Sequence, residues 1–248
     1  MTTLKIKDKK SFVDNFLSSV SKLSEMCVLK IVDNNITCTL AAADTTIVCK
    51  AELPCDVSTE GETIILNIPD IKKLVRVLSI IPLQEIELKI NKSANHISYN
   101  KGGYKFKYHV LNDGAIKLPN INVDKINALD FGCSFTVPEA NLSTLFKGSA
   151  FTAETSKLYI LSEGDKICGE LGDRSRHNTD NFVCTLSEKC EGSAIQEPLV
   201  INFESFRLVS FGKSEDVKFR VNEDMGIVTC NLQKGDVSLI YIISALIN

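Results

Sequence analysis

Alternating apolar and polar positions recur twice along the chain, about 130 residues apart. In the first half, residues 28–31 (VLKI) lead through a polar turn into residues 36–38 (ITC). In the second half, residues 157–160 (KLYI) lead through a polar turn into residues 166–168 (KIC). Alternation with a period of two predicts strands, and a short polar turn between two such runs predicts a hairpin. The recurrence predicts an internal duplication.

Each half also contains two stretches whose apolar residues recur at helical spacing. In the first half these stretches cover residues 11–23 and 69–78, and in the second half residues 138–150 and 203–211. Polar residues that can bond the free N–H groups of a first turn, or a proline that fits its backbone, stand where these helices should begin. The expected caps or first residues are Ser11, Asn67, Pro138 and Asn202. The order helix, strands, helix, strands is therefore predicted twice.

The mixture of helix and strand signals within each half predicts the α+β class, with two pseudo-symmetric domains. We expect the first domain at residues 1–117 and the second at residues 131–248, joined by an interdomain connector at residues 118–130. The connector has an extended pattern and is unusually apolar for a linker. Its aliphatic residues include Leu118, Ile121, Val123 and Ile126. Exposed apolar side chains of this kind often mark a binding surface.

The cysteine content and the N-terminal residues indicate a reducing compartment. Nine cysteines is an odd number, no two are spaced C-x-x-C, and several lie in apolar, strand-like runs. A disulfide framework is typical of short secreted chains with even cysteine counts, so we expect reduced thiols in the core. The N-terminal residues include no apolar signal segment, and no apolar run approaches the roughly 20 residues that span a bilayer. We therefore expect a cytoplasmic protein with no membrane partner.

Positive charge is concentrated on the predicted helices, although the chain as a whole is acidic. The net charge is −3, so the chain as a whole should not adhere to nucleic acid. The helices and their ends carry eight basic and four acidic residues, a net charge of +4, so the remainder carries −7. The basic residues are Lys10, Lys22, Lys72, Lys73, Arg76, Lys147, Arg207 and Lys213. Ordinary solvated helix faces are the alternative explanation for any one of them.

No catalytic constellation is present in the sequence. The chain lacks the glycine-rich phosphate and dinucleotide motifs, the nucleophile-elbow motif and the H-E-x-x-H zinc motif. Of its three histidines, His96 lies in a predicted hairpin and His109 in a predicted strand, and both are most simply structural. The polar loop at residues 172–180 includes Asp173, His177 and Asp180, and solvation of the loop explains them better than a metal site does. We expect no enzymatic activity, no metal and no cofactor.

The duplicated halves, the apolar connector and the final apolar run at residues 237–247 resemble the DNA sliding clamps with two domains per chain. These are the proliferating cell nuclear antigen family and the clamps of tailed phages. The strongly patterned sequence of the cellular eukaryotic members is absent, which favours a viral clamp, from a bacteriophage or another virus, acting in the host cytoplasm. The resemblance implies the sliding-clamp fold, with β-sheets outside and two helices per domain lining the inside of a homotrimeric ring. It also implies a processivity factor in DNA replication, whose partners are double-stranded DNA bound without sequence preference, a DNA polymerase, a clamp loader and further copies of the chain.

The resemblance also implies where these partners bind. The eight basic residues of the helices are the expected DNA-binding residues. The expected partner-peptide site lies between the connector and the C-terminal tail, at Leu118, Ile121, Val123, Ile242, Ile243, Ala245 and Leu246. The expected subunit interface pairs one strand from each half, at Lys105, Phe106, Lys107, Tyr108 and His109 and at Phe182, Val183, Cys184 and Thr185.

Two other classes of protein remain open from the sequence. A β-rich viral structural or assembly protein could use a duplicated domain for shell symmetry, and it would show no preference for basic residues on the helices. An enzyme would need a cleft with convergent polar groups, which the sequence does not indicate.

Overall fold

The computed structural model describes residues 2–58, 63–93, 95–152, 156–176, 178–212 and 216–246. The chain divides into two compact units, each described here by itself. Unit 1 comprises the chain up to Ala43 together with Cys49–Asn120 and Gln233–Leu239. Unit 2 comprises Asp44–Val48, Ile121–Leu232 and the chain from Ile240.

The first half of the chain forms strands that alternate buried and exposed side chains, as the sequence pattern predicts. These strands are β1 (Thr2–Ile6), β2 (Cys27–Val32), β3 (Asn35–Ala41), β4 (Ile47–Pro54), β5 (Asp56–Val57), β6 (Ile64–Ile68), β7 (Ile86–Asn91), β8 (His96–Lys101) and β9 (Tyr104–His109). One sheet has the order β5-β1-β7-β8-β9, and a second run of neighbours has the order β6-β2-β3-β4. The predicted hairpin of residues 28–38 is confirmed, since Ile31 lies opposite Ile36.

The second half repeats this arrangement of strands. Its strands are β10 (Cys133–Val137), β11 (Lys157–Glu163), β12 (Lys166–Leu171), β13 (Phe182–Ser187), β14 (Glu191–Gly192), β15 (Leu199–Asn202), β16 (Val217–Asn222), β17 (Ile227–Lys234) and β18 (Val237–Ser244). The order β14-β10-β16-β17 matches β5-β1-β7-β8, and β15-β11-β12-β13 matches β6-β2-β3-β4. The pairing also matches in detail, because Leu4 lies opposite Leu88 while Phe135 lies opposite Phe219.

The first helices lie where the sequence predicts them, but their caps differ. A π-helix (Ser11–Leu17) continues into α1 (Ser18–Val20), and its apolar face is buried. Ser11 was expected as the cap, but Asp8 has that role: its carboxylate accepts bonds from the Lys10 N–H and the Ser11 hydroxyl. The bond from Ser11 lowers the pKa of Asp8.

The cap of α2 (Ile71–Ser79) is also a correction to the sequence-based prediction. Asp70, in the extended region of backbone space, accepts a bond from the Lys73 N–H at 2.7 Å. Asn67 cannot have this role because it lies in strand β6, where its side-chain amide donates to Asp113. The side-chain oxygen that bonds a first turn belongs to the residue immediately before the helix.

In the second half, α3 (Val123–Asn127) lies within the connector, where an extended chain was expected. Asn122 caps this short helix through the Lys125 N–H, which explains why the local backbone turns instead of extending. The helix α4 (Glu139–Gly148) follows Pro138 as predicted. The Asn202 cap of α5 (Phe203–Phe206) is confirmed by a bond from the Ser205 N–H, although this helix ends at Phe206 and not at Phe211.

Candidate functional site

The outward face of α2 carries three basic side chains. Lys72, Lys73 and Arg76 are exposed. The residues that α2 buries in unit 1 are Ile71, Leu74 and Leu78. Because the apolar face packs on the core, the basic face must point into solvent. Neither lysine ammonium group has a carboxylate partner among the described residues.

The neighbouring helical segment of unit 1 adds two more of the predicted basic residues. The π-helix and α1 both pack against α2. Lys10 lies at the start of this segment and is exposed, and Lys22 follows its end. Partial burial of the Lys22 side chain lowers the pKa of its ammonium group. Unit 1 therefore presents five basic residues on or beside two packed helices.

In unit 2, α4 and α5 meet through aromatic rings. The Phe146 ring lies 5.9 Å from the rings of both Phe203 and Phe206. Lys147 is exposed on α4, and Arg207 follows α5. The Arg207 guanidinium stacks on Phe203 with 4.9 Å to the ring centroid, and it also donates to Glu204 and to Ser149. These contacts hold Arg207 in place, whereas Lys147 has no ion-pair partner in the described part of the chain.

One predicted member of the basic set, Lys213, lies outside the described residues. The sequence missed none of the exposed basic side chains on α2, but it gave no sign of the contact between Arg207 and Ser149. That contact depends on the fold, whereas Phe203 and Glu204 lie four and three residues before Arg207. The predicted basic set is thus distributed over helices in both units, and the exposed members can contact phosphate oxygens as point charges.

The C-terminal tail borders a cavity of about 600 Å³ in unit 2. Three segments line it, at residues 197–200, 223–226 and 244–246. The tail is held by backbone bonds: the Ala245 N–H donates to Gly226 and the Leu246 N–H donates to Val200, both at 2.7 Å. Gly226 adopts a positive φ of 60°, which suits glycine in this turn. The cavity is therefore built on a fixed backbone.

The rim of this cavity is acidic and its wall is apolar. Glu197, Glu223 and Asp224 supply carboxylates, while Met225, which is 56% exposed, supplies an apolar side chain. One Glu223 oxygen accepts bonds from the N–H groups of Gln196 and Glu197, which fixes its position. An apolar wall inside a negative rim suits an apolar segment with basic residues beside it.

The structure brings together only some of the predicted partner-binding residues. Ala245 and Leu246 line the cavity. Ile242, Ile243 and Val123 are buried in the core. Leu118 and Ile121 are 57% and 38% exposed and are not among the described lining residues. The sequence missed Met225 and the turn at residues 223–226, because a turn between two strands gives no signal that a distant tail will lie against it.

Both predicted interface strands lie at an end of their sheets. β9 is the last strand of β5-β1-β7-β8-β9, and β13 is the first of β13-β12-β11-β15. In β9, the side chain of Tyr108 is buried, and its hydroxyl donates to the Asp70 carbonyl at 2.7 Å. Burial raises the pKa of Tyr108 to about 12. Tyr108 therefore joins β9 to the start of α2, while Lys105, Lys107 and His109 are exposed.

The strand β13 packs against α4 at its first residue. The Phe182 ring lies so close to Gly148 that a side chain there would collide with it. Val183 is 45% exposed, and Cys184 and Thr185 are partly buried. An unpaired strand with an exposed apolar residue is a template for pairing with another chain.

The polar loop at residues 172–180 is organised by Asp173. Its carboxylate accepts bonds from the N–H and hydroxyl of Ser175 and forms ion pairs with Lys157 and Arg176. The bonds from Ser175 are the main reason that the pKa of Asp173 falls to about 2. His177 lies outside the described residues, and no cluster of metal-binding side chains occurs among those described. Helices of the described segments are all too short or too polar to cross a membrane.

Three solved structures of PCNA, the proliferating cell nuclear antigen, match the chain over almost its full length. PCNA of A. fulgidus, in a structure with the C-terminal region of FEN-1 bound, has a TM-score of 0.77 at 11% identity, covering 100% of this chain and 99% of its own. PCNA of Thermococcus kodakaraensis has a TM-score of 0.77 at 11% identity, covering 99% and 100%. PCNA of Entamoeba histolytica has a TM-score of 0.76 at 13% identity, covering 99% of both chains. No family model and no curated protein sequence matches the chain. The chain has the sliding-clamp fold, as the resemblance implied.

Proposed function

We propose that the chain is a DNA sliding clamp: three copies close a ring around duplex DNA and tether a replicative DNA polymerase, without catalysing a reaction themselves. The observation that carries this proposal is the exposed basic face of the helices, above all Lys72, Lys73 and Arg76 on α2, in a chain whose net charge is −3. A β-rich structural protein of the same fold has no physical reason to concentrate positive charge there.

The basic residues explain movement along DNA as well as attraction to it. Lysine side chains contact phosphates through long, flexible stems, and phosphate positions repeat identically along any sequence. Contacts of this kind attract the duplex without base readout, so one set of contacts can exchange for the next. We propose that Lys10, Lys22, Lys72, Lys73, Arg76, Lys147, Arg207 and Lys213 act in this way.

The polymerase would bind at the cavity beside the C-terminal tail. The FEN-1 segment bound to PCNA of A. fulgidus supports the idea that proteins of this fold bind short segments of a partner. In this chain we propose that Leu246, Ala245 and Met225 contact an apolar segment of the polymerase or the clamp loader. The carboxylates of Glu197 and Asp224 then favour lysine or arginine beside that segment. We propose that the exposed connector residues Leu118 and Ile121 also contact the partner.

Ring closure involves two edge strands, β9 and β13. We propose that β9 of one copy pairs with β13 of the next, which satisfies the free N–H and C=O groups of both edges. The interface residues proposed from the sequence, at positions 105–109 and 182–185, lie on these strands, with Tyr108 acting indirectly, because its buried side chain fixes β9 against the start of α2. The absence of a cellular eukaryotic sequence pattern supports a viral clamp.

A topological experiment tests this function without requiring the loader. A ring of this kind threads onto linear duplex DNA only through a free end. We expect the chain to stay on DNA in high salt when bulky protein blocks are added to both ends after mixing, and to be lost when the blocks are added before mixing. Retention that does not depend on this order would contradict a ring and favour a surface binder. Loss of the chain from the DNA in both cases would favour the structural-protein alternative.

A further inference from the structure

Two of the nine cysteines approach each other in unit 2. Cys133 begins β10, and Cys190 lies immediately before β14. Their Sγ atoms are 2.6 Å apart, which is closer than two sulfur atoms that are not bonded normally approach. The backbone maintains this approach, because β10 pairs with β14 at Cys133 and Gly192 and the Ser193 N–H donates to the Gly132 carbonyl at 2.8 Å.

The two thiols have different access to solvent. Cys133 is 2% exposed, whereas Cys190 is only partly buried. Burial is the main reason that the pKa of the Cys133 thiol is raised, and the neighbouring Cys190 adds to this effect. An oxidant from solvent therefore reaches Cys190 first, and the buried Cys133 thiol lies beside it. Redox-sensing cysteines commonly have this arrangement of an accessible thiol beside a resolving one.

We propose that Cys133 and Cys190 are a redox modification site that forms a reversible disulfide when the protein meets a peroxide. Cys190 sulfur attacks the peroxide O–O bond, which yields a sulfenic acid and releases an alcohol or water. Cys133 sulfur then attacks the Cys190 sulfur, and the sulfenic oxygen leaves as water with the proton of the Cys133 thiol. Two thiols and one peroxide thus give one disulfide, one water and the reduced peroxide, and a dithiol reductant reverses the change.

The bond would fix the segment that follows β13. Cys190 lies three residues after Ser187, the last residue of β13. At present this segment is attached to β10 and its neighbour by polar contacts, in which Glu191 accepts from Ser134 and pairs with Lys218, both at 3.0 Å. A covalent link between Cys133 and Cys190 closes the loop that contains α4 and strands β11 to β13. It reduces the conformational freedom of the unfolded chain. β13 is also the strand that we propose closes the ring. An effect of the disulfide on ring closure is the only consequence that rests on the proposed function.

Peptide mapping of the intact chain tests the site. The protein is treated with hydrogen peroxide, free thiols are blocked, and the digest is analysed by mass spectrometry without reduction. We expect one dominant linked pair, Cys133 with Cys190, and an increase in Tm of about 5–10 °C that dithiothreitol reverses. Cys190→Ser and Cys133→Ser should lose both effects, while Cys55→Ser, which changes a free thiol of unit 1, should retain them.

Two results would overturn the site. One is a digest in which Cys133 and Cys190 stay unlinked at peroxide levels that oxidise other thiols. The other is oxidation of Cys190 to sulfinic or sulfonic acid without a linked peptide. Because the mapping and the Tm are measured on the chain without DNA, they are independent of the topological experiment. A failed ring with a mapped disulfide would contradict only the proposed function.

Discussion

At the scale of single residues, burial decides which side chains can meet a partner. Lys72 and Lys73 face solvent because the helix between β6 and β7 buries Leu74 and Leu78. Leu246 faces the cavity because its N–H is bonded to Val200. Arg207, in contrast, is already engaged with Glu204 and Phe203, so its contribution to DNA binding should be smaller than that of the free lysines.

The first residue-scale prediction concerns the basic face of α2. Changing Lys72, Lys73 and Arg76 to alanine should weaken retention on DNA most strongly as salt rises, because each phosphate contact releases condensed counterion. If each residue makes one contact, the slope of log affinity against log salt should become shallower by roughly 2.7. DNA retention and processive synthesis at two salt concentrations measure this effect.

The matched control removes the same charge from strands and loops. Lys30, Lys89 and Lys117 are exposed and lie outside the helices, so changing all three to alanine should have little effect on retention. Equal losses in both triple variants would mean that net charge alone matters and would contradict the assignment to the helix face.

The second residue-scale prediction concerns the cavity. Leu246→Ala should weaken binding of a polymerase peptide about tenfold, since truncating a side chain at the centre of an interface can remove more than 1 kcal/mol of binding free energy. Ile80→Ala, at an exposed apolar residue of unit 1, should have no effect. Titration calorimetry with both variants measures the difference, and Ile121→Ser shows whether the connector contributes. Unchanged affinity in Leu246→Ala would place the peptide site elsewhere.

At the scale of elements, hydrogen-bond geometry determines what an edge strand can offer. The Val110 N–H donates to Asn95 across the β8–β9 pair, and bonded pairs alternate along an antiparallel ladder. By this alternation, Phe106 and Tyr108 bond to β8, while the N–H of Lys107 points toward the open edge. The open edge therefore includes a donor that is not needed inside the unit.

The element-scale prediction follows from this geometry. Lys107→Pro removes the outward donor without breaking the bonds to β8, so it should convert the trimer to monomer while unit 1 stays folded. Lys107→Ala keeps the donor and should stay trimeric. Mass from light scattering, with circular dichroism as the folding check, measures both. A trimeric proline variant would show that β9 does not close the ring.

The cap of α2 gives a second test at this scale. Asp70→Ala removes the bond to the Lys73 N–H and should lower the free energy of unfolding by about 1 kcal/mol. Asn67→Ala should act through a different contact, because Asn67 bonds Asp113 and not the helix. Denaturant titration followed by circular dichroism measures both variants, and an unchanged free energy of unfolding in Asp70→Ala would contradict the corrected cap.

At the scale of the whole molecule, duplication has a consequence for assembly. The two units leave one chain with two different sheet edges, β9 in unit 1 and β13 in unit 2, at the ends of different sheets. Pairing between different edges is head-to-tail, and it closes into a ring when the rotation between copies permits. Three copies of 27.3 kDa should therefore give a particle of about 82 kDa, as measured by native mass spectrometry. A two-fold symmetric dimer would contradict head-to-tail closure.

Much of the fold could be predicted from local sequence patterns. The hairpins at residues 28–38 and 157–168, the start of α4 after Pro138 and the Asn202 cap depend on residues close together in the chain. Their periodicity and turn residues are visible in the sequence alone. The repeat near 130 residues then predicts the duplicated strand order, because similar patterns fold into similar units.

Only the tertiary structure decided which distant residues meet. The cavity forms where residues 197–200, 223–226 and 244–246 come together, and no local pattern relates these three segments. Asp70 replaced Asn67 as a cap because strand β6 already uses Asn67, and the Cys133–Cys190 contact depends on pairing between β10 and β14. The sequence by itself determined most of the elements and their repetition, since these depend on neighbours along the chain. The contacts that define the candidate sites depend on packing across long sequence separations, which only the folded chain establishes.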